Sequence, residues 1–208
     1  MIRRELIGEE AAGRLFGYVR VLTQAKKTGR VRITSEQLGS YTNVNPSEVR
    51  RDLSQIGKLG RRGVRYSVDR LLDELRELLF LTGASPIVLV GAGRLGEAIA
   101  NSPIFADYGI TIAAIVDRDP DKVGREFGHV TVSDYQQLAD LVRRRKLIVG
   151  VLAVPAASAQ QAASDLVAAG VKIILNYSQA LLDLPVEVRV LTSNPAAQLI
   201  AALALQRG

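Results

Sequence analysis

The stretch Pro86-Ile87-Val88-Leu89-Val90-Gly91-Ala92-Gly93-Arg94-Leu95-Gly96 decides how this chain folds. Four consecutive apolar residues, Ile87 to Val90, run straight into Gly-x-Gly-x-x-Gly, and the following Glu97, Ala98, Ile99 and Ala100 favour helix. The pattern predicts a buried strand, a tight turn and a helix start. There Gly91 permits the turn, Gly93 lets the backbone approach a pyrophosphate, and Gly96 lets the helix pack closely on the strand. The helix N-terminus offers unpaired N–H groups to a phosphate anion. Glycines at this spacing recur by chance, so the surroundings carry the argument. A second apolar run, Ile110 to Val116, follows at the distance of a βαβ unit and ends in Asp117. A carboxylate at that place accepts the ribose hydroxyls of NAD and repels a 2′-phosphate. The stretch therefore predicts a dinucleotide-type site.

Downstream, strand and helix patterns keep alternating. Ile148 to Val154 is an apolar strand, followed by Pro155 and a helix to Ala169; Gly170 stops that helix, and Lys172 to Leu175 supplies another strand. Such alternation predicts an α/β fold with a doubly wound parallel sheet and a ligand at the carboxyl ends of the strands. Pro155 and Asn176 then fall where the nicotinamide half of a dinucleotide belongs. Asp117-Arg118-Asp119-Pro120-Asp121 has the alternating carboxylates of a cation loop. The preferred reading is a ribose contact for Asp117 and turn and capping roles for the others. A helix is expected from Asp134 to Lys146, its Arg143-Arg144-Arg145-Lys146 end complementing the helix dipole as a solvated last turn rather than a nucleic-acid patch. Ala196 to Gln206 is almost wholly apolar and has to bury more than one face, in the core or against a partner; a dimer contact is favoured.

The first third is of a different kind. All of the net charge of +6 lies in residues 1–81, where 16 Lys and Arg face 10 Asp and Glu, while residues 82–208 are balanced. Charge so placed points to a polyanion-binding module joined to a neutral one. Ala12, Leu15, Phe16, Val19 and Leu22 form the apolar face of a helix from about Glu9 to Lys27, ended by Gly29. Thr34 or Ser35 can cap a second helix, with Gln37 placed for a capping box. Asn45 caps a third, with Pro46 in first position, Val49, Leu53 and Ile56 inward, and Arg50, Arg51, Ser54 and Gln55 outward. Helix, turn, helix with a basic outer face is helix-turn-helix organisation. Alternating Val64, Tyr66 and Val68 among Lys58, Arg61, Arg62 and Arg65 predict a basic β-hairpin beside it, a wing. Arg50, Arg51, Ser54 and Gln55 would then face base edges and phosphates, and wing residues the flanking backbone. A helix from Asp69 to Leu81 leads to the linker Thr82-Gly83-Ala84-Ser85.

Composition limits the alternatives. With 48% hydrophobic and 23% charged residues the chain reads as an ordinary globular protein, and no apolar run reaches membrane-spanning length. Met1-Ile2-Arg3-Arg4-Glu5 does not lead into a signal-peptide core, so a cytoplasmic protein with no membrane partner is expected. The absence of cysteine excludes disulfides, cysteine-ligated zinc, iron–sulfur clusters and thiol redox chemistry. The single histidine, His129, lies in a Gly-His-Val loop, and no acid or base candidate follows Pro155 or Asn176 convincingly, which disfavours an NAD-dependent enzyme.

Several of these motifs together resemble the Rex family of redox-sensing transcriptional repressors. They are Val49-Arg50-Arg51-Asp52-Leu53-Ser54, Arg62-Gly63-Val64 with Tyr66, and Val90 to Gly96. Asp117 with Asp119-Pro120, Lys122-Val123-Gly124, Val154-Pro155 and Leu175-Asn176 complete the set. The resemblance implies a winged helix-turn-helix domain (1–81), a Rossmann NAD(H)-binding domain (82–193) and a C-terminal helix (194–208) exchanged within a homodimer. It implies palindromic double-stranded operator DNA as partner, held when NAD⁺ prevails and released by NADH. The nucleotide contacts expected are Gly91, Ala92, Gly93, Arg94, Leu95, Gly96, Asp117, Arg118, Lys122, Val154, Pro155, Asn176 and Tyr177. The DNA contacts expected are Ser35, Ser47, Arg50, Arg51, Ser54, Gln55, Lys58, Arg61, Arg62 and Tyr66. The chain departs from the family pattern in four places. Gln55 and Ile56 replace aromatic residues, and Arg65 replaces a wing glycine. Asn176-Tyr177-Ser178-Gln179 stands for Asn-Phe-Ala-Pro, and Asn194-Pro195 for an acid and a phenylalanine, although Arg20 matches the acid's arginine partner. The last departure motivates an alternative, a divergent relative with weak redox discrimination or another nucleotide as its signal.

Overall fold

The computed structural model describes residues 9–56, 65–79, 85–194, 196–197, 199–200 and 203. The chain divides into two compact units, Met1–Ala84 and Ser85–Gly208.

The first unit contains α1 (Glu9–Lys27), β1 (Arg32–Ile33), α2 (Ser35–Thr42), α3 (Pro46–Ile56), β2 (Tyr66–Ser67) and α4 (Val68–Leu78). Local chemistry sets its helix ends. The Thr34 hydroxyl accepts the Gln37 N–H while the Gln37 side chain accepts the Thr34 N–H, a complete capping box. Asn43, in the left-handed region with φ 55°, closes α2, and the Asn45 side chain accepts the Ser47 N–H at the start of α3. Leu15, Val19 and Leu22 of α1, Leu38 of α2, Val49 and Leu53 of α3, and Leu71, Leu72 and Leu75 of α4 form the core. Two positions differ from the sequence pattern. Phe16, expected inside, is 48% exposed, and Tyr18 is fully buried instead because its hydroxyl finds a buried partner. Val68, expected in the hairpin, opens α4 because the Ser67 hydroxyl accepts the Arg70 N–H as a cap. β2 pairs antiparallel with β1, Ile33 opposite Tyr66. The remainder of the expected hairpin, residues 57–64, and the expected end of α4 beyond Leu79 lie outside the described residues.

The second unit contains β3 (Ser85–Val90), α5 (Arg94–Asn101), α6 (Pro103–Asp107), β4 (Ile110–Asp117), β5 (Glu126–Phe127), β6 (Val130–Asp134), α7 (Leu138–Arg145), β7 (Val149–Leu152), α8 (Ala156–Ala169), β8 (Ile173–Asn176) and β9 (Arg189–Thr192). The sheet order is β5-β6-β4-β3-β7-β8-β9, parallel throughout except for β5. β3 is central, and its residues alternate between the two faces. Val88 and Val90 join a core with Leu141, Val142, Leu166 and Ile174, while Ile87 and Leu89 join one with Ile99, Ile115 and Phe127. The sheet is therefore doubly wound, with helices on both faces. The helix expected from Asp134 is corrected: Val130–Asp134 is a strand of alternating burial, and the Asp134 carboxylate caps a single 3₁₀ turn, Tyr135–Gln137, before α7 begins. Residues 196–197, 199–200 and 203 are helical.

Candidate functional site

Starting from β3 the chain winds one way to β4 and β6, then crosses back to add β7 on the other side of β3. Between β3 and β7 no helix can cover the strand ends, so a crevice opens there, the usual ligand position in such sheets. Val90 and Leu152 pair across it. Gly91, with φ +104°, sits at its mouth, and a Cβ there would come 2.4 Å from the Ala153 carbonyl oxygen. A Cβ at Gly96 would stand 1.9 Å from the Gly91 carbonyl oxygen, whereas one at Gly93 would meet nothing within 4 Å. Packing within the chain thus requires the first and third glycines and leaves the second open. Gly93 is also the N-cap of α5 and has no side chain to satisfy the first-turn N–H groups. An open backbone approach beside unsatisfied donors fits a pyrophosphate, and with it NAD(H).

Asp117 ends β4 beside this loop. Its Oδ2 accepts the Ala92 N–H at 2.6 Å and its Oδ1 the Asp119 N–H at 2.9 Å, with Lys122 Nζ 3.5 Å away. Burial alone would raise its pKa, but the two backbone donors and the Lys122 charge outweigh it and hold the carboxyl below the usual range. It is ionised at neutral pH and retains lone pairs for a ribose. Asp119 Oδ1 accepts the Asp121 N–H, so these aspartates shape turns, and among the described residues no group of three or more acidic or histidine side chains is placed to hold a metal ion.

A cleft of about 230 Å³ lies here. Of the expected residues it is lined by Gly91, Gly93, Asp117, Arg118, Lys122, Val154 and Pro155; Tyr135, Ser158 and Ala162 join them without a sequence signal of their own. Ala92 acts through its N–H on Asp117, Arg94 and Leu95 are exposed on the first turn of α5, and Gly96 lies under the loop. Asn176 and Tyr177 are not among the residues that line this cleft. Asn176 is fully buried; its side chain accepts the Ser178 N–H and donates to the Ala180 carbonyl, shaping the turn after β8. Tyr177 packs against the Ile87 and Leu89 side of the core. His129 is exposed in the β5–β6 turn, away from the cleft lining.

In the first unit α3 presents Ser47, Arg51 and Ser54 to solvent, and Gln55 lies on the same helix. Arg50 Nη1 donates to Ser35 Oγ at 3.1 Å and to Glu36 Oε1 at 3.2 Å, which aims its guanidinium from the start of α2. Ser35 and Tyr66 are both buried, Ser35 as the seat of Arg50 and Tyr66 within the β1–β2 pair opposite Ile33. Burial raises the Tyr66 pKa, opposed by the charge of Arg50 and reinforced by that of Glu36. Lys58, Arg61 and Arg62 lie outside the described residues. One buried charge had no signal in the motif: Asp52, on the inner face of α3. Its carboxylate takes a bidentate pair from Arg14 of α1, Nε and Nη2 each at 2.8 Å, and the Tyr18 hydroxyl at 2.8 Å. The spacing could have shown it, because Asp52 follows Val49 by three residues and so shares the core-facing stripe.

A helix-turn-helix unit followed by a doubly wound α/β unit with a dinucleotide-type cleft defines a class of two-part regulator. Comparison with known proteins agrees. Residues 7–54 match a family model described as the N-terminus of putative DNA-binding proteins, and residues 82–180 one described as a CoA binding domain. A redox-sensing transcriptional repressor Rex of Rubrobacter xylanophilus is 42% identical over 91% of this chain and 88% of that protein. One from Brevibacillus brevis is 33% identical over 91% and 92%. The solved structure of RSP with β-NAD⁺ and operator DNA is 31% identical, with a TM-score of 0.80 over 97% of this chain and 93% of that one. RSP with β-NADH also gives 0.80 at 29% identity, over 97% and 94%. The chain belongs to the Rex family of redox-sensing transcriptional repressors.

Proposed function

We propose that the chain represses transcription by binding palindromic operator DNA as a homodimer, and that NADH releases the DNA while NAD⁺ leaves it bound. The observation that carries this reading is the pairing, in one chain, of a cleft open at Gly93 and bordered by Asp117 with a helix that turns Arg51 and Ser54 outward. RSP, a Rex-family repressor, is known with β-NADH and, separately, with β-NAD⁺ and operator DNA.

In this reading residues 1–81 are the DNA-binding domain. Arg51 and Ser54 reach bases or phosphates, Arg50 is aimed by Glu36, and Lys58, Arg61 and Arg62 grip the flanking backbone. Residues 82–193 hold NAD(H), the pyrophosphate over Gly93 at the start of α5 and the adenosine ribose on Asp117. Residues 194–208 form the dimerisation helix. Leu199, Ile200 and Leu203 are 62, 66 and 52% exposed in the single chain, an apolar surface that a second copy would cover. NADH and DNA then favour different states of the dimer, and by linkage each weakens the other to the same degree. No described helix is long and apolar enough to cross a membrane. We place the protein in the cytoplasm with its DNA, as a regulator rather than an enzyme.

Asn194 favours a second reading. Its side-chain oxygen accepts the Ala197 N–H at 3.1 Å and so caps the last helix. An amide at this position cannot form the ion pair with Arg20 that an acid would, which points to weaker discrimination between NADH and NAD⁺. Fluorescence anisotropy on a palindromic operator, with the two nucleotides titrated separately, decides. Release by NADH alone supports the first reading; equal effects of both nucleotides replace it with the second. Absence of DNA binding together with NADH turnover would make the chain an enzyme.

A further inference from the structure

Six of the eleven Lys and Arg in residues 82–208 come from three places in the chain: Arg143, Arg144, Arg145 and Lys146 at the end of α7, Lys172 just before β8, and Arg189 at the start of β9. The fold brings these places to one edge of the sheet. The Ile148 carbonyl, two residues after Lys146, accepts the Lys172 N–H at 2.9 Å, and the Lys172 carbonyl accepts the Arg189 N–H at 2.9 Å. All six residues are exposed, and none forms an ion pair with a described residue. Arg145 donates to the Ala113 carbonyl and Arg144 to the Asp140 carbonyl, so both lean on backbone and not on a carboxylate. The acids within three residues of any of the six are Asp140 and Glu187.

A solvated last turn of α7 accounts for only part of this. The C-terminal end of a helix carries about half a negative charge, which one cation complements. Four stand at α7, Lys172 lies past the Gly170 that closes α8, and Arg189 follows a turn. Like charges held together unpaired repel one another, a cost that a polyanion relieves. The row runs along a sheet edge, where successive strands are about 4.8 Å apart, so it suits a chain of phosphates better than a single anion. β3 runs parallel to β7 and begins at the same edge, where residues 80–84 join it to the first unit. A duplex held by the first unit is thus tethered to this edge through a short linker, and a patch too weak to bind DNA alone acts there at high effective concentration.

We infer that this basic edge is a second, sequence-independent DNA contact that meets phosphates flanking the operator. This rests on the operator reading above and adds to it a surface of the α/β unit. Contacts to phosphates position a protein without reading bases, so the edge lengthens the stretch of duplex held and strengthens binding, while the choice of operator stays with α3. None of the six residues lines the nucleotide cleft, so removing their charge leaves nucleotide binding intact.

Fluorescence anisotropy of the full chain on two duplexes tests this: the bare palindromic operator, and the same operator extended by about one helical turn on each side. At about 0.1 M salt the wild type should bind the extended duplex about tenfold more tightly. With about two flanking phosphates met by each chain of the dimer, the log–log dependence of that affinity on salt should be steeper by about 3 to 4. A variant carrying Arg143→Gln, Arg144→Gln, Lys146→Asn and Lys172→Gln should lose most of both differences while binding the bare operator and NADH as the wild type does. Asparagine is chosen at Lys146 because it suits the left-handed backbone there, φ 52°. An extended-duplex advantage that is absent in the wild type, or intact in the variant, would overturn the inference. Binding to phosphatidylserine vesicles that the variant loses, with no advantage for the extended duplex, would overturn it too and assign the edge to a membrane surface. If the wild-type chain binds neither duplex, the operator reading itself fails, and this inference with it.

Discussion

Replacing Asp52 should cost the first unit far more than a surface aspartate would, and the structure says how much. Three donors converge on its carboxylate, two from Arg14 and one from Tyr18. In Asp52→Ala the Tyr18 hydroxyl is left buried without a partner, a penalty of about 1–3 kcal/mol. Arg14 is not stranded to the same degree: its side chain is 25% exposed, and Glu48 stands 3.2 Å away. The upper part of the roughly 3–5 kcal/mol range for a broken buried pair is therefore too large, and about 3 kcal/mol is expected. Arg14→Leu, which leaves a buried carboxylate with Tyr18 as its remaining side-chain donor, should cost at least as much. The double variant Arg14→Leu with Asp52→Leu removes both charges and should recover part of the Arg14→Leu loss, the unpartnered Tyr18 hydroxyl accounting for what remains. Urea denaturation of the full chain followed by circular dichroism gives these values, with the transition of each unit fitted separately because two units need not unfold together. A double variant no better than the worse single one, or an Asp52→Ala loss below about 0.5 kcal/mol, would refute the reasoning. The pH dependence supplies a second check. Burial pushes the Asp52 pKa up, but the hydrogen bonds from Arg14 and Tyr18 and the Arg14 charge outweigh it, so the folded value is depressed. Its stabilisation is therefore complete above the unfolded value of about 4 and disappears as pH falls through the lower folded value. Asp52→Ala should flatten that acid limb.

Three further outcomes are expected. Gly93→Ala should leave the nucleotide-free melting temperature unchanged, since a Cβ there meets nothing within 4 Å, yet abolish NADH binding in titration calorimetry; Gly96→Ala, with a Cβ 1.9 Å from a carbonyl oxygen, should lower the melting temperature as well. Arg51→Ala should weaken operator binding by about 1–3 kcal/mol if it contacts a base, and otherwise reduce the salt dependence of anisotropy titrations uniformly across sequences. Leu199→Asp with Leu203→Asp should convert a dimer to a monomer in sedimentation velocity and weaken operator binding with it; a persistent dimer would remove the last helix from the interface.

The nucleotide unit was legible where a single local pattern carried the information. Ile87 to Val90 running into three spaced glycines, then a strand ending in Asp117, specifies strand, turn and acid within about thirty residues. The helix caps at Thr34 and Asn45 were legible for the same reason, each lying within one turn of what it caps. What escaped depends on partners far along the chain. Asp52 was hidden behind the basic pair Arg50-Arg51, and its partners lie 34 and 38 residues away. Tyr135, whose hydroxyl donates to Asp165, is 30 residues from that partner, and neither has a motif. β5, β6 and β9 are short segments whose alternation shows little until β8 or β4 is in place to pair with them. Asn176 follows from the same limit: its place after a strand pointed to the cleft, but the turn it stabilises at Ser178 and Ala180 could be recognised only with the backbone drawn.

The bond from the Ala92 N–H to Asp117 bears on how quickly such a sensor can respond. The glycine loop is held in its bent form by a carboxylate of the cleft itself, so its ordering entropy is lost during folding and not at the moment of binding. An arriving nucleotide meets a finished surface, and little of the encounter is wasted on rearranging the loop. With arrival fast, the lag between a change in the nucleotide pool and a change at the promoter is set by how long the outgoing nucleotide stays, a residence time that contacts at its base and its far ring can lengthen or shorten without altering the loop.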